Sequence, residues 1–188
     1  MLVSRKMFRR HLGLLLVLLA MACAHAPPPA SLVGVDGSRR PLTDFTRRAP
    51  WTVIMFVSST CPCMASHRDP LEDLAAAYAP RGVQFLAVES DVTTTPESLA
   101  AEAREYSMPV LRDDGARLAN ALGAESATYT VIVDRDGHVR YRGGFDSDRV
   151  TRHPDATPYV RDALDDLLAG KPPRQPETHA LGCMLRKY

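Results

Sequence analysis

Apolar and polar residues follow one another along this chain in segments that predict an ordered series of strands and helices. Residues 51–57 form a continuous apolar run, rich in β-branched and aromatic side chains, which is typical of a buried strand. Residues 61–78 predict a helix, because their apolar positions recur at i, i+3, i+4 and i+7. Pro70 lies inside this helix, where a missing N–H favours a kink or a restart.

The remaining pattern predicts shorter elements. In chain order they are a hairpin over 32–42 turning at Asp36-Gly37, a strand over 83–88, a helix over 96–106 capped by Thr95, an extended piece over 109–111, a small helix over 114–122, a strand over 129–133, a turn over 134–137, a strand over 139–141 and a last helix over 157–170. Strand, helix and strand followed by a later hairpin predict an α/β fold with a mixed central sheet flanked by helices. We expect one domain over 31–170 and an extended C-terminal tail over 171–188.

The N-terminal segment has the features of an export signal. Arg5, Lys6, Arg9 and Arg10 precede an apolar run over 12–22 that is too short to span a membrane. The sequence Leu19-Ala20-Met21-Ala22-Cys23 looks like a bacterial lipobox, although Leu is more usual at position 20. We therefore expect a signal peptide over 1–22, a lipid-anchored tether over 23–30 that begins at Cys23, and a location in the bacterial cell envelope facing the periplasm. An ordinary signal peptide cut nearby is the alternative.

The charge balance argues against a nucleic-acid partner. Removing residues 1–22 removes four of the 23 Lys and Arg residues and none of the 22 Asp and Glu residues, which leaves a net charge of about −3. A diacyl anchor at Cys23 would attach the protein to a membrane without a spanning helix.

Three cysteines remain if Cys23 is lipidated. Export would place Cys61, Cys63 and Cys183 outside the reducing cytoplasm, where one disulfide and one free thiol can coexist. The predicted strand ends just before Cys61 and the predicted helix begins there, with Pro62 suited to its first turn. A helix N-terminus stabilises a thiolate, so Cys61 is the candidate nucleophile. An inert, buried Cys61 is the alternative.

The order of elements, the cysteine after the first long strand, the proline inside the following helix and the Asp134-Arg135-Asp136-Gly137 turn resemble the thioredoxin-like redoxin superfamily, which includes the alkyl hydroperoxide reductase/thiol-specific antioxidant group. The likeness spans residues 32–145 and implies a thioredoxin-like fold. It also implies that Thr128 and Pro62 contact the substrate. The late segment Glu177-Thr178-His179-Ala180-Leu181-Gly182-Cys183 is similar to a bacterial subgroup of exported redoxin-domain proteins that ends in Gly-Cys.

The chain also departs from the patterns of that superfamily. Met64 stands where thioredoxins have the second cysteine of Cys-x-x-Cys, and no proline stands at Thr128, where redoxins have a cis-proline. Ser58 occupies the hydroxyl position of the peroxiredoxin motif. Ile54 replaces that motif's proline, and the peroxidase arginine expected near Thr128 is absent.

These residues support three functions. The first is an exported thiol–disulfide oxidoreductase, without cofactor, in which Cys61 attacks a protein disulfide and Cys63 or Cys183 resolves the mixed disulfide, with a thiol donor closing the cycle. Cys183 also suits a static disulfide or a free thiol. The second is a peroxidase in which oxidised Cys61 condenses with Cys183. The third is a non-enzymatic copper module that uses Cys61, Cys63 and His67. A solvated helix position is the alternative for His67.

Overall fold

The computed structural model describes residues 30–188. The predicted signal peptide, the lipidation site Cys23 and all but the last residue of the tether lie outside the described residues. Among residues 30–188, no helix combines the length and the apolar character needed to cross a membrane.

Seven strands form one mixed sheet in the order β2-β1-β5-β4-β3-β6-β7. Their bounds are β1 Ser31–Val33, β2 Arg39–Pro41, β3 Trp51–Val57, β4 Val83–Glu89, β5 Val110–Arg112, β6 Thr130–Asp134 and β7 Val139–Gly143. Strands β3, β4 and β5 run parallel, and β6 pairs antiparallel with β3. This mixed sheet confirms the predicted α/β class.

Five helices accompany the sheet. They are α1 Thr43–Thr46, α2 Pro62–Tyr78, α3 Pro96–Glu102, α4 Arg117–Leu122 and α5 Tyr159–Leu168, with short 3-10 turns over Ala79–Arg81, Ala103–Glu105 and Asp114–Ala116. The apolar residues of α2 and α5 are buried with those of β3, β4 and β6 in one core. Burial of a continuous apolar strand on both faces is what a central parallel sheet requires.

Two helices differ from the predicted pattern. Helix α2 continues through Pro70 as one helix, so of the predicted kink or restart the restart does not occur, and Leu71 and Leu74 after the proline are buried in the core. Helix α3 begins at Pro96 with the predicted Thr95 cap, which Ser98 completes as a capping box. It ends at Glu102, however, and a 3-10 turn replaces its predicted last turn.

The C-terminal tail folds back onto the domain. Its first half follows the end of β7. The Arg142 N–H donates to Pro176 O at 3.0 Å, and the Thr178 N–H donates to Arg142 O at 3.1 Å. Thr178 Oγ1 accepts a further hydrogen bond from the N–H of Gly144. Its second half lies against two loops, where Leu185 N–H donates to Glu125 O at 3.0 Å and Val92 N–H donates to Arg186 O at 2.9 Å. The tail therefore runs across the sheet edge where β4 ends and β6 begins.

Candidate active site

Cys61 lies where β3 gives way to α2. Its backbone is extended (φ −90°, ψ 118°), and it forms the N-cap of α2 with Pro62 as the first helical residue. The Cys61 N–H donates to Ser58 O at 3.0 Å, which closes the turn after β3. The N–H groups of Cys63 and Met64, in the first turn of the helix, face the Cys61 sulfur, and that of Met64 also donates to Cys61 O at 3.0 Å.

The tail brings Cys183 to the same place. The N–H of Ala127 donates to Cys183 O at 2.8 Å, and Ser126 and Met184 form an isolated antiparallel bridge. Gly182 makes this approach possible, because a Cβ at this position would lie 1.7 Å from Ala127 O. The position of Cys183 is therefore set by backbone contacts on both sides.

The three sulfurs of Cys61, Cys63 and Cys183 lie within 4.8 Å of one another. Cys61 is 5% exposed and Cys63 is 1% exposed, whereas Cys183 is only half-buried. The three thiols are free in this structure. The cluster unites all three cysteines that the sequence analysis singled out, and Cys183 is the member through which solvent reaches it.

The three thiols differ in acidity. Burial works to raise the pKa of Cys61, but hydrogen bonds from the Cys183 thiol, the Cys183 N–H and the N–H groups of Cys63 and Met64 outweigh it, so the pKa of Cys61 is lowered. Burial and the neighbouring Cys61 raise the pKa of Cys63. Burial and Cys61 together raise the pKa of Cys183 to about 12. Cys61 is therefore the most acidic thiol of the cluster, and the pKa values of its two neighbours are shifted in the opposite direction.

One cation near the cluster was not foreseen from the sequence. Arg149 lies on an exposed loop between β7 and α5, and its charge lowers the pKa of Cys63, although burial and Cys61 outweigh this effect. Only the tertiary fold brings residue 149 to residue 63, so spacing along the chain gave no signal for it.

The two predicted substrate contacts lie on either side of the cluster. Pro62 is exposed beside Cys61. Thr128 is buried in a left-handed conformation (φ 69°), and its N–H donates to Phe56 O at 2.9 Å. None of the described residues has a cis peptide bond, in keeping with the missing proline. The tail itself covers this segment, since a Cβ on Gly182 would lie 3.2 Å from Thr128 Oγ1.

His67 is neither a solvated helix residue nor a member of the sulfur cluster, so both expectations for it are wrong. Its side chain is buried, with Nδ1 2.7 Å from Cys63 O and Nε2 3.1 Å from Asp146 Oδ1. Burial works to lower the pKa of His67, but the Asp146 carboxylate and the Cys63 carbonyl raise it. Because both ring nitrogens face acceptors, both donate protons, and neither has a lone pair left for a metal.

A buried pair of carboxyl groups lies behind the turn that leads to Cys61. Glu89, at the end of β4, accepts from the N–H of Ser59 at 3.3 Å and from the N–H of Asp91 at 3.0 Å. Burial and the neighbouring carboxyl of Glu102 raise the pKa of Glu89 to about 8. The sequence signal was a single acid closing a buried strand, at the edge where α/β folds place functional side chains.

This arrangement suits thiol chemistry. A low-pKa sulfur attacks sulfur or peroxide oxygen, and a second thiol within bonding reach can close a disulfide with it. The described residues of the cluster present sulfur alone, which is also a ligand set for soft metal ions.

Comparison with known proteins gives the site a context. The sequence model of the AhpC/TSA family matches residues 24–142. The structure resembles an uncharacterized conserved protein from Geobacillus kaustophilus, with 34% identity, a TM-score of 0.77 and coverage of 86% of this chain and 89% of that chain. A hypothetical protein from Sinorhizobium meliloti has 27% identity and a TM-score of 0.77, with coverage of 87% and 93%. A thioredoxin-like protein from Aeropyrum pernix, at 22% identity and a TM-score of 0.52 over 71% and 87%, shares the fold. No curated protein matches the chain.

Proposed function

We propose that this chain, which belongs to the AhpC/TSA family, is an exported thiol–disulfide oxidoreductase in which Cys61 and Cys183 are the reacting pair. The observation that carries the proposal is the sulfur cluster, in which one thiol of lowered pKa lies within 4.8 Å of a thiol whose pKa is raised to about 12. No metal or organic cofactor takes part in this chemistry.

In the reducing direction, the Cys61 thiolate attacks one sulfur of a partner's disulfide and releases the other as a thiolate. Cys183 gives its proton to that leaving group, and its sulfur then attacks Cys61 in the mixed disulfide. The second partner sulfur leaves as a thiolate and takes a proton from solvent, so the products are two partner thiols and a Cys61–Cys183 disulfide. The two electrons therefore move from the cysteine pair to the partner.

The return step uses the difference between the two sulfurs. Cys183 is half-buried and Cys61 is 5% exposed, so an incoming donor thiolate reaches the Cys183 sulfur of the disulfide. Cys61 is then the leaving group, and its lowered pKa speeds its departure. A second donor thiol resolves the donor–Cys183 bond and restores both thiols.

Cys63 has a different part in this scheme. A bridge between Cys61 and Cys63 closes a short, strained ring, which makes it easily reduced. Cys63 is also 1% exposed, whereas Cys183 is half-buried and accessible to a donor thiol. The sequence left Cys63 and Cys183 open as the resolving thiol, and we therefore assign that step to Cys183.

Peroxide reduction is the second candidate, and the burial of Cys61 favours it. A sulfur that is 5% exposed beneath a bound tail admits a small hydroperoxide more readily than a folded protein. The Cys61 thiolate would attack one peroxide oxygen, giving Cys61 sulfenic acid and hydroxide. Condensation with the Cys183 thiol then releases water and forms the same disulfide.

Reduction of insulin disulfides by the reduced chain tests the first candidate. The parent protein and every variant carry Cys23→Ser, which removes the fourth thiol of the sequence. We expect Cys61→Ser to abolish turnover, and Cys183→Ser to accumulate a mixed disulfide on Cys61 that intact mass measurement detects. Turnover by Cys61→Ser equal to that of the parent protein contradicts the proposal. Peroxide consumption no faster than that of free cysteine removes the second candidate.

The proposed location follows from the N-terminal sequence alone. Export and diacylation at Cys23 would hold residues 30–188 at a membrane surface facing the periplasm. Cell fractionation with radiolabelled palmitate tests this directly. Label in the membrane fraction of the native chain that is lost in Cys23→Ser supports the proposal, and an unlabelled soluble chain contradicts it.

A further inference from the structure

The geometry points to a second use of the same three sulfurs: we propose that Cys61, Cys63 and Cys183 bind one Cu(I) ion when the protein is reduced. The proposal goes beyond disulfide exchange. It depends on where the three sulfurs lie, and it does not require that they form or break disulfides. Each thiol that joins the ion gives its proton to solvent, and copper stays in the Cu(I) state throughout.

The spacing of the sulfurs fits a three-coordinate ion. A planar site with metal–sulfur bonds of about 2.3 Å sets its three sulfurs about 4.0 Å apart. The three sulfurs here all lie within 4.8 Å of one another, so small side-chain rotations bring them to that spacing. Two of them belong to the first turn of α2, and the third is held by the Ala127–Cys183 hydrogen bond.

The donor set selects the class of metal. Within residues 30–188, the cluster contains three cysteines and no carboxylate or imidazole. Sulfur-only sites favour Cu(I) and zinc over magnesium, calcium or manganese, which prefer oxygen. Structural zinc sites use four protein ligands, whereas three thiolates complete the coordination of Cu(I).

The surroundings can compensate the charge of such a site. Three thiolates around Cu(I) carry two negative charges, and the N–H groups of Cys63 and Met64 in the first turn of α2 face the Cys61 sulfur. Arg149 adds a nearby cation that reaches the cluster from an exposed loop. A buried anionic centre is tolerated where such partners are present.

The ligand set differs from the one that the sequence suggested. His67 is committed to Cys63 O and Asp146, so Cys183 takes the third position. His179 precedes Cys183 by four residues and is exposed outside the cluster. Because copper and the Cys61–Cys183 disulfide use the same sulfurs, bound Cu(I) and the disulfide exclude each other.

Anaerobic titration of the fully reduced chain with Cu(I), in competition with bathocuproine disulfonate, tests the proposal. All proteins carry Cys23→Ser, so that the fourth cysteine of the sequence supplies no ligand. We expect one Cu(I) per chain with a three-sulfur shell in X-ray absorption. Cys61→Ser, Cys63→Ser and Cys183→Ser should each weaken binding by at least about tenfold, whereas His179→Gln, at an exposed position, should leave it unchanged.

Three results overturn the proposal: no copper retained against the competitor, retention unchanged in Cys183→Ser, or tighter binding of zinc than of Cu(I) by the same chain. Circular dichroism of each serine variant shows that a lost site is not a lost fold. Disulfide exchange measured in the presence of the chelator is a separate assay. A chain that binds Cu(I) without reducing disulfides thus refutes only the oxidoreductase, and the reverse result refutes only the metal site.

Discussion

The carbonyl oxygen of Cys183 accepts a 2.8 Å hydrogen bond from the N–H of Ala127, and this bond fixes the tail beside the N-terminus of α2. Two further contacts hold the residues that follow: Arg186 Nε lies 2.8 Å from Asp91 Oδ2, and Lys187 Nζ donates to Ala124 O at 3.1 Å. A thiol presented in this way has a high effective concentration at Cys61, which is what a resolving cysteine needs.

The close approach at Gly182 should be indispensable to the pairing of Cys61 with Cys183. In Gly182→Ala the added Cβ meets Ala127 O at 1.7 Å, so the tail must move away. We expect the equilibrium constant for the disulfide against a glutathione buffer to fall at least about tenfold, a cost of about 1.4 kcal/mol. Met184→Ala is the matched control, because Met184 is 82% exposed. An unchanged constant in Gly182→Ala would show that the tail is not held by this contact.

The Cys183 thiol should set the acidity of Cys61. Cys183→Ala removes a hydrogen-bond donor, so the pKa of Cys61 should rise, whereas Cys183→Ser keeps a donor and should preserve most of the lowering. The backbone N–H of residue 183 remains in both variants. The pH dependence of iodoacetamide alkylation, followed at Cys61 by peptide mass spectrometry, gives the pKa. Equal values in the alanine and serine variants would refute the assigned hydrogen bond.

The buried carboxyl pair should make stability fall as pH rises. The pKa of Glu89 is raised from 4.5 to about 8 in the fold, so the folded state holds a proton that the unfolded state releases between these values. Its contribution is therefore complete below pH 4.5 and lost as pH rises to about 8. Glu102→Gln removes the like charge, and we expect it to reduce the loss between pH 5 and pH 9 by about 1–3 kcal/mol.

Urea denaturation at pH 5, 7 and 9 measures this effect. Glu105→Gln is the control, because Glu105 is exposed and its ion-pair partner within residues 30–188 is Arg68. It should shift stability by the same small amount at each pH. If Glu102→Gln and the parent protein lose the same stability between pH 5 and pH 9, Glu102 does not raise the pKa of Glu89.

The His67–Asp146 pair should stabilise the fold most below pH 6.5. The pKa of His67 is raised above 6.5, so its contribution is complete below pH 6.5 and is lost as pH rises through the raised value. Asp146→Asn leaves the buried imidazolium without its counter-charge, which should cost about 3 kcal/mol at pH 6. Asp148→Asn, whose partner His153 is exposed, should cost much less. Equal losses in the two variants would contradict a buried ion pair.

Much of the fold could be predicted because its signals are local. Residues 51–57 are apolar except for Thr52, and β3 has those bounds. Thr95 and Pro96 carry the cap and first turn of α3 in their own chemistry. Of the kink or restart predicted at Pro70, the restart does not occur, because buried residues on the next turn keep the helix packed on the core and a local pattern does not contain that packing.

The site could be predicted only in part. Cys61 at a helix N-terminus follows from neighbours in the sequence, so its acidity could be inferred. The surroundings of His67 depend on Asp146, 79 residues away. Those of Glu89, at the end of β4, depend on Glu102 at the end of α3. The approach of Cys183 to Cys61 requires the whole tail to fold back. Such long-range pairings leave no periodic trace in a single sequence.

Disulfide mapping tests the pairing of Cys61 with Cys183 most directly. The chain carrying Cys23→Ser is oxidised with one equivalent of diamide, blocked with N-ethylmaleimide and digested without reduction. We predict a linked peptide pair that joins Cys61 to Cys183, with the blocking group on Cys63. A bridge between Cys61 and Cys63, with the blocking group on Cys183, would contradict the account.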